Sequence, residues 1–420
     1  MTLQDQSTLG RALSSLAYAD FRRLASSLLL TSLSTQLLQT IILWQVYQMT
    51  GSALLLGLSG LARAAPHMVL SLIGGVIADR LDRIYLIQAG QMANAILLLT
   101  LAILSLNGGV EIWHLYVITF LNSAFTAVTQ PGRTAIIPSL VPQSNLVNAI
   151  ALNATIGQTS QIIGPAIAGL MITTIGLGLG YLASSIFFLG AMAAIIGIRV
   201  HNASPSINES PWRSFMEGIA FVTSRPVIVS LLLLDLGATL LGSYRALLPI
   251  FAEALGVGAA GYGLLSAAPG IGSIVGSGLI LSLGDMKYKG LYTVFGVLAY
   301  AIALVMLGLS PWFLISLIAA GLLGATNSVQ MIPRNSVILT ISPSQLRGRV
   351  EAFRSMLAGG GPPIGYTLSG LLAALFGAPA AVVMGAISCA VLVTVLGVFH
   401  SELRQKELGS PITSGEPSKE

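Results

Sequence analysis

Twelve apolar stretches alternate with short gaps in which the basic residues are sorted by parity, and that sorting restricts the chain to one kind of molecule. The stretches cover 21–49, 53–78, 84–106, 112–138, 146–174, 178–198, 226–254, 258–283, 290–309, 312–340, 349–376 and 379–400. Each has about the length, roughly twenty residues, that crosses a bilayer core as a helix. The gaps after the second, sixth, eighth and tenth stretches hold Arg80 and Arg83, then Arg199, Arg213 and Arg225, then Lys287 and Lys289, then Arg347; Arg133 sits at the matching end of the fourth stretch, and Arg334 and Arg349 flank the others. The gaps after the odd stretches hold no Lys or Arg, only the acidic Glu111 and Glu253. Arg11, Arg22 and Arg23 make one terminal segment basic, Arg404 and Lys406 the other. Lys and Arg collect on the cytoplasmic side of membrane proteins, so the pattern predicts even gaps and both termini in the cytoplasm. An even number of crossings agrees, because it returns the chain to the side it left.

Composition fits only this reading. The chain is 54% hydrophobic and 8% charged, against about 25% charged residues in soluble domains. Its net charge of +5 is spread over short loops rather than gathered into a patch, which speaks against nucleic acid as a partner. The single cysteine, Cys389, and four scattered histidines give neither a disulfide framework nor a metal-ligand cluster. The first twenty residues contain Asp5 and Asp20 and lack the apolar run of a signal peptide, so the first stretch is expected to remain as a span.

The organisation expected is an N-terminal cytoplasmic segment (1–20), a six-helix bundle (21–200), a cytoplasmic linker (201–225), a second six-helix bundle (226–402) and a disordered tail (403–420). The linker contains a segment from Trp212 to Phe221 that suits a short helix lying on the membrane surface. A weak internal repeat supports the six-plus-six division. A shift of 201 residues places Arg133 on Arg334, Pro142 on Pro343, Gly164 on Gly365 and Gly169 on Gly370; a shift of 203 places Ala64-Ala65-Pro66 on Ala267-Ala268-Pro269.

The most specific local motif ends the second stretch: Gly75, Asp79, Arg80 and Arg83 in a G-x-x-x-D-R-x-x-R pattern. It resembles the signature loop of the major facilitator superfamily. The resemblance narrows through Asp20-Phe21-Arg22-Arg23, Trp44-Gln45-Val46-Tyr47-Gln48-Met49-Thr50-Gly51-Ser52, Asn148-Ala149-Ile150-Ala151-Leu152-Asn153, Gly164-Pro165-Ala166-Ile167-Ala168-Gly169 and Arg347-Gly348-Arg349-Val350. These are similar to the transmembrane secretion effector branch, which holds enterobactin-exporter-like and macrolide-efflux-like pumps. The resemblance implies an all-α integral membrane fold of twelve transmembrane helices in two halves. It implies a secondary exporter in a bacterial inner membrane that moves a siderophore or similar metabolite by alternating access, driven by proton antiport. Multidrug or macrolide efflux is the alternative; an uptake permease or a non-transporting scaffold ranks lower. It further implies a conformational latch in which Gly75, Asp79, Arg80 and Arg83 meet the start of the eleventh helix at Arg347, Arg349 and Glu351. Gly164, Pro165 and Gly169 resemble a helix-bending motif of drug–proton antiporters, with Ser160 and Ala168 in place of two glycines. The mid-helix basic residue that many such antiporters carry in the fourth helix is absent here.

Ionisable groups deep in a membrane span are costly and usually functional. Arg63, Asp235 and Arg245 qualify, and Asp235 is expected to alternate between the two arginines as the proton-coupling carboxylate. In the superfamily, helices 1, 4, 7 and 10 line the cavity, and here each carries polar residues at helical spacing. These are Gln36 and Gln39; Asn122, Thr126 and Gln130; Thr239 beside Asp235; and Asn327 and Gln330. No nucleotide-binding loop of the G-x-x-x-x-G-K-[ST] type occurs, so no cofactor is expected. The partners expected are a small-molecule substrate, protons and the lipid bilayer, for a monomer that works with outer-membrane export components.

Topology is directly testable. Single cysteines near Gly108, Gly178, Gly258 and Pro379 should react with a membrane-impermeant thiol reagent in intact cells, and cysteines near Leu81, Ser206 and Tyr288 should not. Labelling of Ser206→Cys from outside would break the assigned orientation.

Overall fold

A computed structural model describes residues 14–198, 211–284, 286–343 and 346–399, with the side chains of 72–80, 211–215, 352 and 399 outside that set. Twelve membrane helices follow the twelve apolar stretches closely. They are α1 (Ala19–Thr50), α2 (Ala53–Arg80), α3 (Arg83–Leu106), α4 (Ile112–Leu140), α5 (Leu146–Thr174), α6 (Gly176–Ala194), α7 (Pro226–Ala254, interrupted), α8 (Gly258–Ser282), α9 (Lys289–Leu309), α10 (Phe313–Ile341), α11 (Arg347–Phe376) and α12 (Ala378–Phe399). Helices dominate because hydrocarbon offers backbone groups no water, so each segment must satisfy its own. Among the described residues ten are apolar enough to cross a membrane unaided. The other two are α5, diluted by Asn148, Asn153, Gln158 and Gln161, and α11, which opens with Arg347, Arg349, Glu351 and Arg354. Protein neighbours cover what lipid would reject in these two.

The helix ends have ordinary causes. Gly51 adopts φ 60° and returns its N–H to Tyr47 O at the end of α1, a left-handed stop that glycine reaches without strain. Asp82 caps α3 by accepting from the backbone N–H groups of Ile84 and Tyr85.

α7 departs from the continuous helix expected over 226–254. It runs as a helix from Pro226 to Leu236, loosens into a π turn over Gly237–Leu241, and resumes through a 3-10 turn at Arg245–Leu247 into a last helix, Leu248–Ala254. Backbone released by such a break must find other partners inside a bilayer. Cys389 Sγ of α12 donates to Gly237 O (3.3 Å), and Tyr300 Oη of α9 donates to Gly242 O (3.0 Å). Gly385 lets α12 come against Leu241 O, where a methyl group would stand only 2.2 Å away.

Within the first half α1 packs on α5 and α6, α2 on α4, and α3 on α4 and α6; within the second, α8 packs on α10, α9 on α10 and α12, and α11 on α12. The halves meet chiefly through two pairs, α2 with α11 and α5 with α8, with smaller contacts of α7 on α1 and α2. Small residues make both contacts close. A methyl at Gly370 would stand 2.5 Å from Gly57 Cα, and one at Gly169 would stand 2.8 Å from Gly263 Cα. Gly169 and Gly370 are the positions that the 201-residue shift superimposes, so each half brings the same glycine to the other.

These contacts are not spread evenly through the membrane. One apolar cluster takes residues from both halves, including Leu37, Ile41, Trp44 and Tyr181 from the first and Leu247, Phe251, Tyr262 and Leu304 from the second. All of these lie toward the ends of the spans far from the linker. On the linker side the core splits in two, with Phe21, Leu24, Ile87 and Ile136 in one half and Ile228, Leu231, Val297 and Val337 in the other. Gly157 of α5 and Gly278 of α8, both on the linker side, meet nothing within 4 Å of an added methyl. The halves are joined at the far face and separate toward the linker face.

The linker contributes a helix, Pro211–Thr223, and it does more than lie on a surface. Glu217 pairs with Arg349 at the start of α11, and Val222 is buried in the second-half core. Residues 201–210 of the linker, residues 199–200 before it, residues 1–13 and residues 400–420 lie outside the described residues.

The far-face contact yields an expectation. Gly370→Leu should force α2 and α11 apart there, so that a Gln39→Cys thiol becomes reactive toward an impermeant reagent applied from the far side. In the parent chain that thiol should be reached from the linker side alone. Equal reactivity in the two backgrounds would show that this glycine contact does not close the far face.

Candidate functional site

The divergence of the halves leaves a cavity of about 410 Å³ at mid-membrane. Concave, mostly preformed spaces with a few convergent polar groups are where small ligands bind. Its walls come from both halves. α1 supplies Gln36 and Gln39, α2 supplies Arg63, and α5 supplies Gln158 and Gln161. α7 supplies Thr239, Ser243 and Arg245, α10 supplies Asn327, and α11 supplies Tyr366.

The far end of the cavity is closed by contacts that cross between the halves. Gln39 Nε2 reaches Tyr366 Oη at 3.4 Å, Thr367 Oγ1 donates to Gly57 O at 3.0 Å, and Trp44 stacks on Tyr262 with ring centroids 5.6 Å apart. Two small recesses open beside this ceiling. One, about 40 Å³, lies between Arg63, Ser59 and Asn122; the other, about 30 Å³, lies between Arg245, Tyr262 and Ser266. Gln39 and Tyr366 border both.

The charges do not sit as the sequence reading expected. Asp235 pairs with neither Arg63 nor Arg245. Its Oδ1 lies 2.7 Å from Arg334 Nη1 of α10, and both side chains are buried outside the cavity lining. Arg334 Nη1 is close to Asp235 without an aligned hydrogen bond, and Arg334 Nε has none. Arg354 stands next to this pair and is itself held by Glu351 and, more loosely, by Asn335 at 3.5 Å. Arg63 and Arg245, by contrast, form no ion pair among the described residues. Arg245 bonds the neighbouring Tyr244 hydroxyl, and Arg63 lies within electrostatic reach of Arg245. The cavity therefore carries two cations and no carboxylate.

The polar stripes divide likewise. Gln36, Gln39, Thr239 and Asn327 face the cavity. Asn122 donates to Asn94 at 2.9 Å and touches only the Arg63 recess. Thr126 and Gln130 do not line the cavity, and Gln330 is buried against Gly296 of α9 while donating to Asn327 at 3.2 Å. The resemblance directed attention to helices 1, 4, 7 and 10, and so passed over Gln158 and Gln161. Their spacing of three on a polar helix was the signal that could have found them.

Gly164 and Gly169 serve close packing. A methyl at Gly164 would stand 2.5 Å from Gln36 Cβ, and Pro165 O faces Gly263. Among the latch residues, the side chains of Gly75, Asp79 and Arg80 lie outside the described residues. Arg83 donates to Ala135 O (3.4 Å), Arg347 to Ser342 O (3.1 Å), Arg349 binds Glu217 and Glu351 binds Arg354.

A family model described as transmembrane secretion effector matches residues 11–416. The chain belongs to the transmembrane secretion effector family. It is 25% identical to the enterobactin exporter EntS of Citrobacter koseri over 398 residues, covering 94% of this chain and 95% of that one. It is also 25% identical to EntS of Shigella boydii over 356 residues, covering 84% and 85%. Among solved structures it resembles a bacterial homologue of the human lysosomal transporter Spinster in an inward-facing, occupied conformation, with TM-score 0.71, 14% identity and coverage of 93% and 99%. The nucleoside transporter NupG matches with TM-score 0.69, 16% identity and coverage of 90% and 98%. The protein is a multi-pass membrane transporter with the major facilitator fold.

The buried pair can be separated from the cavity experimentally. Asp235→Asn leaves the Arg334 charge buried without a partner, a class of change that costs about 3–5 kcal/mol. It should lower the thermal unfolding temperature of the detergent-solubilised protein markedly, and Asp235→Asn with Arg334→Gln should recover most of the loss. An unchanged unfolding temperature in Asp235→Asn would show that the pair does not hold α7 to α10.

Proposed function

We propose that the protein exports a small, acceptor-rich or anionic molecule, a siderophore or similar secondary metabolite, from the bacterial cytoplasm by alternating access driven by proton antiport. The observation that carries this reading is the mid-membrane cavity shared by both halves and lined by two arginines without carboxylate partners. Such a cavity attracts anions and repels the cationic drugs that acidic cavities collect. The relatives named enterobactin exporter support the cargo class, and enterobactin, with its several catechol and carbonyl oxygens, suits a lining of arginine, glutamine and tyrosine donors. With the linker face taken as cytoplasmic from its basic residues, the cavity opens to the side from which an exporter loads.

The proton has one carboxylate candidate deep in the spans among the described residues, Asp235, and it would compete there with Arg334 for the carboxylate. This replaces the earlier expectation of exchange with Arg63 or Arg245. Movement of α11 would change the distance between Arg354 and the pair, and a nearby cation holds a carboxylate in its charged form. The latch of Gly75, Asp79, Arg80 and Arg83 against the start of α11 belongs to the opposite state, in which the linker face closes.

Vesicles test the proposal. Everted membrane vesicles holding the protein should accumulate iron-free enterobactin when a proton gradient is imposed and release it when the gradient collapses. Asp235→Asn with Arg334→Gln, the variant expected to fold, should lose uphill accumulation and keep downhill exchange. Full accumulation by this variant would remove Asp235 from coupling, and no enterobactin uptake by the parent protein would remove the cargo assignment.

A further inference from the structure

The two cavity arginines come from different halves, and neither has a counter-charge among the described residues. Arg63 stands on α2 and Arg245 on the short 3-10 turn of α7. Each borders its own recess, and both border the common cavity. In the conformation described here the cavity is open toward the linker face, so water can solvate both guanidiniums. Alternating access requires the linker face to close, which would leave two like charges in a dry, shared space. Removing an ion from water is costly even after relaxation, and a partner of opposite charge is what offsets it. Asp235 is not that partner here, because it is engaged with Arg334 and does not line the cavity.

We propose that the cargo itself is the missing counter-charge, and that the site is a two-point anion clamp. It selects molecules with two separate anionic or strongly accepting groups, one taken by Arg63 of the first half and the other by Arg245 of the second. A guanidinium presents its donors as a planar fork that matches carboxylates, phosphates and deprotonated catechols. The recesses beside each arginine give the two groups separate seats, and Gln36, Gln39 and Tyr366 offer donors between them. Bridging the halves in this way makes closure of the linker face favourable with cargo and unfavourable without it, since a ligand shifts a conformational equilibrium only by its difference in affinity for the two states. The inference rests on the cavity being the cargo site, and it adds the number and placement of charges the cargo must carry.

Calorimetric titration of the purified full-length protein in detergent tests it with three probes of one ring size. Isophthalate carries two separated carboxylates, phenyl phosphate carries one doubly charged head, and benzoate carries one carboxylate. Isophthalate should bind about tenfold or more tighter than either of the others, the gain of one further charge-assisted contact. Arg63→Gln and Arg245→Gln should each bring isophthalate down to the affinity of benzoate, while Arg63→Lys and Arg245→Lys, which keep the charge, should fall between. Thermal unfolding of each variant confirms that it is folded. The clamp is overturned if isophthalate gains nothing over benzoate, if phenyl phosphate equals it, if the Gln variants bind it as the parent does, or if no probe binds. Isophthalate discrimination without enterobactin transport would leave the clamp standing and remove only the cargo named above.

Discussion

Close backbone contact between the halves, made where side chains are absent, sets the shape of everything else in this transporter. Lipid offers no hydrophobic drive to press one apolar helix on another, so association depends on van der Waals contact and on residues small enough to permit it. Gly57 against Gly370 and Gly169 against Gly263 supply that contact at the far end of two helix pairs. The shared apolar cluster forms around them, and the separate clusters of the linker side follow from their absence there. The cavity is the space left between two bodies fastened at one end.

The same fastening explains how charge is distributed. Several polar groups away from the cavity are paired inside one half. Asp235 meets Arg334, Asn122 meets Asn94, and Gln91 Nε2 donates to Ser27 and Thr31 hydroxyls. At the cavity Gln39 meets Tyr366 and Asn327 accepts from Gln330, while Arg63 and Arg245 remain without an opposite charge among the described residues. A charge without a partner is expensive away from water, and a cavity that water can enter lowers that cost for both.

Much of the fold was legible because the bilayer imposes a length and a charge rule that short-range sequence expresses directly. The helix ends lie within a few residues of the apolar stretches, and even α5 and α11 were found despite their polar content. The internal repeat pointed to Gly169 and Gly370, although not to their partners. What stayed hidden was pairing over long separations. Nothing local in Asp235 says that Arg334 rather than Arg63 will face it, because that depends on how the first rod of α7 packs against α10. The break in α7 was hidden for the same reason. Its glycines look like packing glycines until Tyr300 and Cys389, on helices much later in the chain, take the carbonyls. Of the candidate cavity stripes, Gln36 and Gln39 of α1, Thr239 of α7 and Asn327 of α10 reach the cavity, while of the α4 stripe only Asn122 borders a recess beside it.

The interruption of α7 has a mechanical meaning. Its linker-side rod, Pro226–Leu236, packs with the linker helix, α9, α10 and α12, and is tied to α10 through Asp235. Its far-side rod, Leu248–Ala254, packs chiefly on α8 and reaches α1 of the other half. Arg245 sits on the joint between them. A π turn lacks the tight register of an α-helix and is a common place for a helix to bend. The seventh span is therefore two levers on one pivot, one belonging to the second half and the other leaning on the first. The pivot carries a charge, so whatever neutralises Arg245 acts directly on the angle between the levers.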